Sequence, residues 1–123
     1  NRLAYAFIQN KAGRFVEPTL DSTTAAAAAA LAGTPEDLRV SIVNPDGEAA
    51  YPIAAYTYLL VYKDQMDRTK GKALVDFLVW AIHEGQVFAK DLLYAPLPTE
   101  IVARTETRIK LISFQGQPLS TSR

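Results

Sequence analysis

Residues 55–83, AYTYLLVYKDQMDRTKGKALVDFLVWAIH, contain the two most apolar elements that the sequence predicts. Positions 55–62 are apolar or aromatic on both alternating faces, which is typical of a strand covered on both sides. From 69 to 83 apolar residues recur at helical spacing, and Val75, Val79 and Trp80 widen the apolar arc. We therefore expect a helix that is buried on most of its circumference.

Shorter elements are predicted on both sides of this stretch. Positions 3–8 and 14–16 have the pattern of a hairpin, 20–32 that of a helix, and 38–43 that of a half-buried strand before a turn at 44–47. Beyond 83 follow a short helical piece at 87–92, a break at 96–98, a last helix at 99–112 and a turn at 115–119. Strands and helices alternate, so the predicted class is α/β.

The predicted sheet is too small for its long strand. A strand buried on both faces needs neighbours, because each dry and unpaired backbone group costs about 1 to 3 kcal/mol. The sequence supplies only short, hairpin-like companions for positions 55–62. We expect the missing sheet to come from another chain or from a further part of the same protein.

Composition limits the classes of function. The 123 residues are 49% hydrophobic and 21% charged, as in one folded domain. Because 13 Lys and Arg balance 13 Asp and Glu, no sequence-wide attraction to nucleic acid or to an anionic membrane is expected. The sequence has no cysteine and a single histidine, which excludes a disulfide framework, a Cys nucleophile and a multi-His zinc site. We expect neither a metal nor a cofactor.

Two polar motifs favour structural roles over chemical ones. His83-Glu84 ends a predicted helix without a nucleophile or orienting acid nearby in sequence, so a charge at the helix C-terminus is favoured over a catalytic histidine. A polar cluster opens the helix at 20–32, where backbone N–H groups can bind phosphate. Asp21 would repel an anion and no Gly-rich loop precedes it, so capping is favoured. The cluster consists of Thr19, Asp21, Ser22, Thr23 and Thr24.

Aromatic side chains offer a weaker hypothesis of binding. Tyr56, Tyr58 and Tyr62 fall on one face of the predicted strand and could form a stacking platform for a sugar or a base. Few basic residues lie nearby, so packing in the core is favoured. Trp80 follows Asp76 by four residues near a narrow polar stripe, where a core edge is favoured over a partner surface. No residue pattern identifies an enzyme.

Six blocks of sequence, in order and at similar spacing, give the chain a resemblance to a known family. The blocks are Leu3-Ala4-Tyr5, Lys11 to Pro18, Tyr51-Pro52-Ile53, Tyr58 to Gln65, Phe77 to Ala81 and Leu92 to Pro98. Together they resemble the C-terminal part of the phosphate-binding proteins of bacterial ABC uptake systems, from Asn1 to about Leu119. One departure is Tyr51, where the family more often has Trp.

The resemblance implies the C-terminal part of a two-lobed periplasmic-binding-protein fold of type II, incomplete on its own. Residues 1–50 would end the second lobe, and 51–123 would cross the hinge near Pro52 and complete the first lobe. In that family phosphate is held by residues of the first part of the chain, including a Ser-Gly-Thr motif. The motif is absent here. We therefore expect no catalytic, phosphate-binding or metal-binding residue in this chain.

The resemblance also implies partners and a location. Inorganic phosphate would bind through the missing N-terminal part, and ABC transporter membrane subunits would receive it. The location would be periplasmic, or extracellular and membrane-anchored, although the chain carries no signal of its own. The alternative is an interaction domain that pairs with itself or with a partner through unfilled sheet edges and binds no phosphate.

Overall fold

A computed structural model describes residues 4–120 as a mixed helical and stranded chain. We name the strands and α-helices in chain order. They are β1 (Ile8–Gln9), β2 (Phe15–Val16), α1 (Leu20–Ala29), α2 (Arg68–Ile82), α3 (Thr99–Ile109), β3 (Ser113–Phe114) and β4 (Gln117–Pro118). Short 3-10 helices at Leu31–Gly33 and Glu84–Phe88 follow α1 and α2.

Two small hairpins lie near the ends of the described chain. β1 pairs antiparallel with β2, with Ile8 opposite Val16. The hairpin predicted at 3–8 and 14–16 is therefore confirmed but shorter, and Leu3 lies outside the described residues. β3 pairs with β4 at the predicted turn, where Gln115 and Gly116 have positive φ angles of 50° and 76°.

The N-terminal half has a small core built largely from alanine. α1 begins at a capping box between Thr19 and Ser22, and its last predicted turn is the 3-10 helix at Leu31–Gly33. Its buried face packs against the loop that follows. These residues form the N-terminal cluster: Ala26, Ala27, Ile42, Ala50 and Ala54.

The C-terminal half is built on two helices. Asp67 caps α2 by accepting a hydrogen bond from the Lys70 N–H at 2.9 Å, and α2 packs against α3. α3 ends at Ile109 rather than at 112, because the chain turns there into β3. The C-terminal cluster consists of Val75, Leu78, Ile82, Ile109, Ile112 and Leu119. No helix in residues 4–120 is long and apolar enough to cross a membrane.

Two predicted strands are not strands within residues 4–120. Residues 38–43 and 55–62 are irregular or extended, without a sheet partner in the described chain. Both segments have the apolar pattern of a strand, but a strand forms only where a second strand lies at hydrogen-bonding distance. β3 comes closest, but it bonds to the chain only after this segment, where Ser113 forms an isolated parallel bridge with Asp64. The predicted two-sided burial of 55–62 is therefore wrong for this structure, in which Leu60 is 97% exposed and Tyr62 82%.

The predicted burial of α2 on most of its circumference is also wrong here. Only one stripe is buried, formed by Gly71, Val75, Leu78 and Ile82. On the other faces Phe77 is 53% exposed. The short helical piece predicted at 87–92 is replaced by the 3-10 helix at Glu84–Phe88 and a turn.

The two clusters share no residue. Tyr56 is the last hydrophobic side chain packed on the N-terminal cluster, and Val61 is the first packed on the C-terminal cluster. Pro52 is buried and its carbonyl accepts a hydrogen bond from the Asn44 N–H at 2.9 Å. The assignment of residues 1–50 and 51–123 to two lobes stays a prediction.

Candidate interaction surface

The predicted polar motifs have structural roles in the fold. His83 lies at the C-terminal end of α2, and its Nε2 is 4.0 Å from Glu106 Oε2. Glu84 opens the following 3-10 helix instead of orienting the imidazole. No group of three or more His, Asp or Glu side chains suited to a metal ion occurs within residues 4–120.

The cluster that opens α1 is used for capping, as predicted. Thr19 Oγ1 accepts a hydrogen bond from the Ser22 N–H at 3.1 Å, and Ser22 Oγ accepts one from the Thr19 N–H at 3.0 Å. The Thr23 hydroxyl donates to the Thr19 carbonyl, and the Thr24 hydroxyl donates to the Pro96 carbonyl. These hydroxyls are thus engaged within the protein.

A groove of about 570 Å³ runs beside this helix start. Its lining includes the carboxylates of Glu17, Asp21 and Glu48, against a single basic side chain, Arg14. Arg14 lies 3.5 Å from Glu48 Oε2. The local charge therefore disfavours an anion in the groove.

The three tyrosines do not form one platform. Tyr56 is half-buried against the N-terminal cluster, and its ring meets that of Tyr58 edge to face with centroids 6.1 Å apart. The Tyr58 hydroxyl donates toward the carbonyls of Leu38 and Val40, at 3.0 and 3.1 Å. Core packing is confirmed for Tyr56, whereas Tyr62 is exposed.

Trp80 belongs to an exposed aromatic row. Its ring centroid lies 5.9 Å from that of Phe77 and 6.2 Å from that of Phe88, and Trp80 itself is 44% exposed. A Cβ on Gly85 would come within 3.2 Å of the indole ring, so the chain closes tightly around the Trp80 side chain. The indole is therefore held in place although it faces outward.

Residues 59–62 form an exposed apolar segment. Within the described chain, the N–H groups of these residues donate to no backbone carbonyl. Leu59, Leu60 and Tyr62 are exposed, and Val61 alone packs on the C-terminal cluster. Residues 59–62 thus combine backbone N–H groups that have no backbone partner in the described chain with exposed apolar side chains.

We call the aromatic row and the exposed segment together the apolar surface: Leu59, Leu60, Tyr62, Phe77, Trp80 and Phe88. Leu92, Leu93 and Tyr94, farther along the chain, are exposed as well. The chain exposes 8963 Å², whereas a compact monomer of 13.5 kDa exposes roughly 6,500 Å². The described fold is therefore less compact than an ordinary monomer of this mass, and many bulky apolar side chains are exposed in it.

The sequence of the chain was compared with those of known proteins. No family model matches the chain. A protein of Pasteurella multocida named phosphate-binding protein PstS is 37% identical over 110 residues, which are 89% of this chain and 32% of that protein. This chain is similar to part of PstS.

Further relatives carry the same name. The PstS of Xylella fastidiosa is 39% identical over 106 residues, 86% of this chain and 29% of that protein. The PstS of Methanocaldococcus jannaschii is 40% identical over 96 residues, 69% of this chain and 24% of that protein. The predicted resemblance to the C-terminal part of phosphate-binding proteins is confirmed. The chain spans about a third or less of the length of these PstS relatives.

Two side chains that the sequence did not indicate, Asn10 and Arg104, make long-range hydrogen bonds. Asn10 is buried and its Nδ2 donates to the carbonyls of Gly47, Glu48 and Ala50 at 2.9 to 3.1 Å. Arg104 donates from Nη1 to the Thr34 carbonyl at 2.6 Å, across 70 residues of sequence. An Asn before a Lys-Ala-Gly turn is a weak sequence signal for the first contact, and no sequence signal indicates the second.

Proposed function

We propose that this chain is the scaffold and hinge part of a phosphate-binding protein that captures phosphate for an ABC uptake system. The observation that carries the proposal is the similarity to proteins named phosphate-binding protein PstS over 86% to 89% of the chain. The phosphate ligands would come from the part of the longer protein that precedes this chain. The protein would act by binding and release, not as an enzyme.

The apolar surface supports this proposal. Residues 59–62 and the outward face of α2 present large apolar side chains that a further sheet would bury. Each Leu, Phe or Tyr that is covered contributes about 1.5 to 3 kcal/mol. A longer chain, of which this one would be a third or less, supplies the strands that the described residues lack.

The proposed two-lobed architecture of type II places the boundary near the junction of the two clusters. Residues 1–50 would end the second lobe, and residues 51–123 would cross the hinge and complete the first. The separation of the two clusters supports a division into two units, and the N-terminal cluster extends past residue 50 to Ala54. The proposed location is periplasmic, or extracellular and membrane-anchored, where ABC transporter membrane subunits would receive the phosphate.

Calorimetry with inorganic phosphate tests the proposal. The intact product of the gene should bind phosphate, and the isolated 123-residue chain should not, because tight anion capture needs several preorganised donors. Micromolar or tighter binding by the isolated chain, lost when residues within it are mutated, would contradict the scaffold role. Absence of binding by the intact product would contradict phosphate capture altogether.

A second candidate function is a self-associating or partner-binding interaction domain that binds no phosphate. The exposed backbone edge at residues 59–62 is the observation that favours it. A gene that encodes only these 123 residues, together with a stable oligomer of defined size, would support this candidate against the first.

A further inference from the structure

The two hydrophobic clusters divide the described chain into two packed units. The first extends to Tyr58, whose hydroxyl is bonded to the backbone at Leu38 and Val40, and the second starts at Val61. Leu59 and Leu60 are the covalent connection between the units, and both side chains are exposed. Apolar packing thus fixes each unit internally, and no residue of either cluster belongs to the other.

Within residues 4–120, two side-chain hydrogen bonds join the two units. The Arg104 guanidinium on α3 donates to the Thr34 carbonyl at 2.6 Å. Thr34 is buried and anchored in its own unit, since its hydroxyl donates to the Ala30 carbonyl at 3.0 Å. Within residues 4–120 the other side-chain hydrogen bond between the units is that from Thr24 to the Pro96 carbonyl, at 3.4 Å. The Arg104 contact is the shorter of the two and is charge-assisted.

Oppositely charged side chains of the two units also interact near the Arg104 hydrogen bond. Arg39 and then Arg108 hold the pKa of Asp37 below its ordinary value, and Arg108 lies on α3, one helical turn beyond Arg104. The Asp37 carboxylate is bonded mainly to Arg39, with 2.7 Å between Arg39 Nη2 and Asp37 Oδ2. The Arg108 charge on α3 thus favours the ionised Asp37 of the first unit, as the smallest of the effects on its pKa.

We propose that the hydrogen bond from Arg104 to the Thr34 carbonyl is a latch that holds the two units in this arrangement. When it breaks, the units rotate as rigid bodies about the connection at Leu59 and Leu60, because each keeps its own core. In a hinge closure, two packed bodies move about a short connection, and a contact between the bodies stabilises one arrangement. The two units, the exposed Leu59-Leu60 connection and the Arg104 hydrogen bond correspond to these three features. This inference deepens the proposed function, because a binding protein of two lobes needs a device that sets their orientation.

The latch is tested by measuring the distance between the units. These 123 residues have no cysteine, so Ala28→Cys and Lys90→Cys place one spin label on an exposed position of each unit once any cysteine elsewhere in the intact product is replaced by serine. Pulsed electron paramagnetic resonance on the intact product of the gene should give one dominant distance. Arg104→Met should increase the population at other distances roughly three- to tenfold, as expected for loss of a partly exposed charged hydrogen bond.

The control is Arg68→Met. Arg68 is an exposed arginine of α2 without a side-chain hydrogen bond or ion pair to residues 4–120. Its loss should leave the distances unchanged, and Arg104→Lys, which keeps the charge without the planar donor set, should give an intermediate increase. An unchanged distribution in Arg104→Met, or an equal change in Arg68→Met, overturns the latch. If Arg104→Met does not fold, a distribution in Arg104→Lys identical to the parent overturns it instead.

A phosphate titration of the parent protein distinguishes a failure of the latch from a failure of the proposed function. If the parent does not bind phosphate but Arg104→Met alters the distances, the proposed function fails and the latch stands. If the parent binds phosphate and the distances are unaffected, the latch fails and the proposed function stands.

Discussion

At the scale of the residue, Asn10 fixes the relative position of the first hairpin and the loop at 47–50. Its two Nδ2 hydrogens are shared among three carbonyls, and its Oδ1 accepts from the N–H groups of Ala12 and Arg14. A single buried amide thus satisfies backbone groups of two segments almost 40 residues apart. Few side chains can supply donors and an acceptor in so small a volume.

We expect Asn10→Ala to lower the free energy of unfolding by about 3 kcal/mol, because it leaves several partly buried carbonyl and N–H groups unpaired. Urea unfolding followed by circular dichroism measures the change. Gln9→Ala is the matched control, since the Gln9 amide is exposed and makes one 3.2 Å bond to the Gly13 carbonyl. A loss in Asn10→Ala no larger than in Gln9→Ala would show that the Asn10 contacts contribute little.

Unlike the Asn10 amide, the buried hydroxyl of Tyr56 has no hydrogen-bond partner among residues 4–120. Tyr56→Phe removes this unsatisfied group and should stabilise the chain by about 1 kcal/mol at neutral pH. Stability should be compared by urea unfolding, with Tyr62→Phe as an exposed control. A loss of stability in Tyr56→Phe would show that the hydroxyl has a partner that the fold of residues 4–120 does not supply.

The same residue predicts a dependence on alkaline pH. Burial, and to a smaller extent Tyr58, raises the pKa of Tyr56 in the folded chain. The unfolded chain, with a tyrosine pKa of about 10, therefore releases this proton first. Ionisation of Tyr56 therefore does not affect stability below a pH of about 10. As the pH rises from there through the folded pKa of Tyr56, ionisation lowers the free energy of unfolding. Unfolding free energies measured on both sides of pH 10 should fall less steeply in Tyr56→Phe than in the parent.

At the scale of the element, Gly71 decides how closely α2 approaches the C-terminal hairpin. A Cβ there would lie 2.6 Å from Leu119 Cδ1 and 2.9 Å from Gln65 Cβ, and Leu119 is itself buried in the C-terminal cluster. The clash outweighs the roughly 1 kcal/mol that alanine gains over glycine in a helix.

We therefore expect Gly71→Ala to destabilise the chain by about 1 to 3 kcal/mol, measured by thermal or urea unfolding. Gly33→Ala is the control, because nothing lies within 4 Å of a Cβ at that position. Gly33→Ala should be neutral or slightly stabilising. If the two variants are equally stable, α2 does not need a glycine for its packing.

Helices were predictable from the sequence because their signals are local. The bounds of α2 differ from the prediction by one residue at each end, since Asp67 and Lys70 carry the cap and Gly85 follows the end. The irregular conformation of residues 55–62 could not be predicted, because whether an apolar segment becomes a strand depends on partners elsewhere in the protein. The apolar pattern alone predicts a buried strand, but within residues 4–120 no strand pairs with this segment and its side chains are largely exposed. Phe77 and Trp80 are exposed as well, although the apolar pattern of α2 predicts burial on most of its circumference.

At the scale of the whole molecule, the apolar surface predicts association of the isolated chain. Light scattering of the 123-residue chain at micromolar concentration should show oligomers, because covering so many exposed large apolar side chains is favourable. Addition of the complementary N-terminal part of the proposed longer protein should displace them. A compact, cooperatively melting monomer of 13.5 kDa in both samples would mean that the core is complete without a partner.

The division into two clusters also determines the order in which the chain can fold during synthesis. The N-terminal cluster closes over residues 26–54, and the C-terminal cluster needs residue 119. The first therefore has all its contacts, at low loop-closure entropy, once residue 54 has left the ribosome and before α2 and α3 have been synthesised. Leu59, Leu60 and Tyr62 emerge next, still uncovered, and the second cluster forms last. The interval between these events is when a chaperone would find its clearest target on the nascent chain.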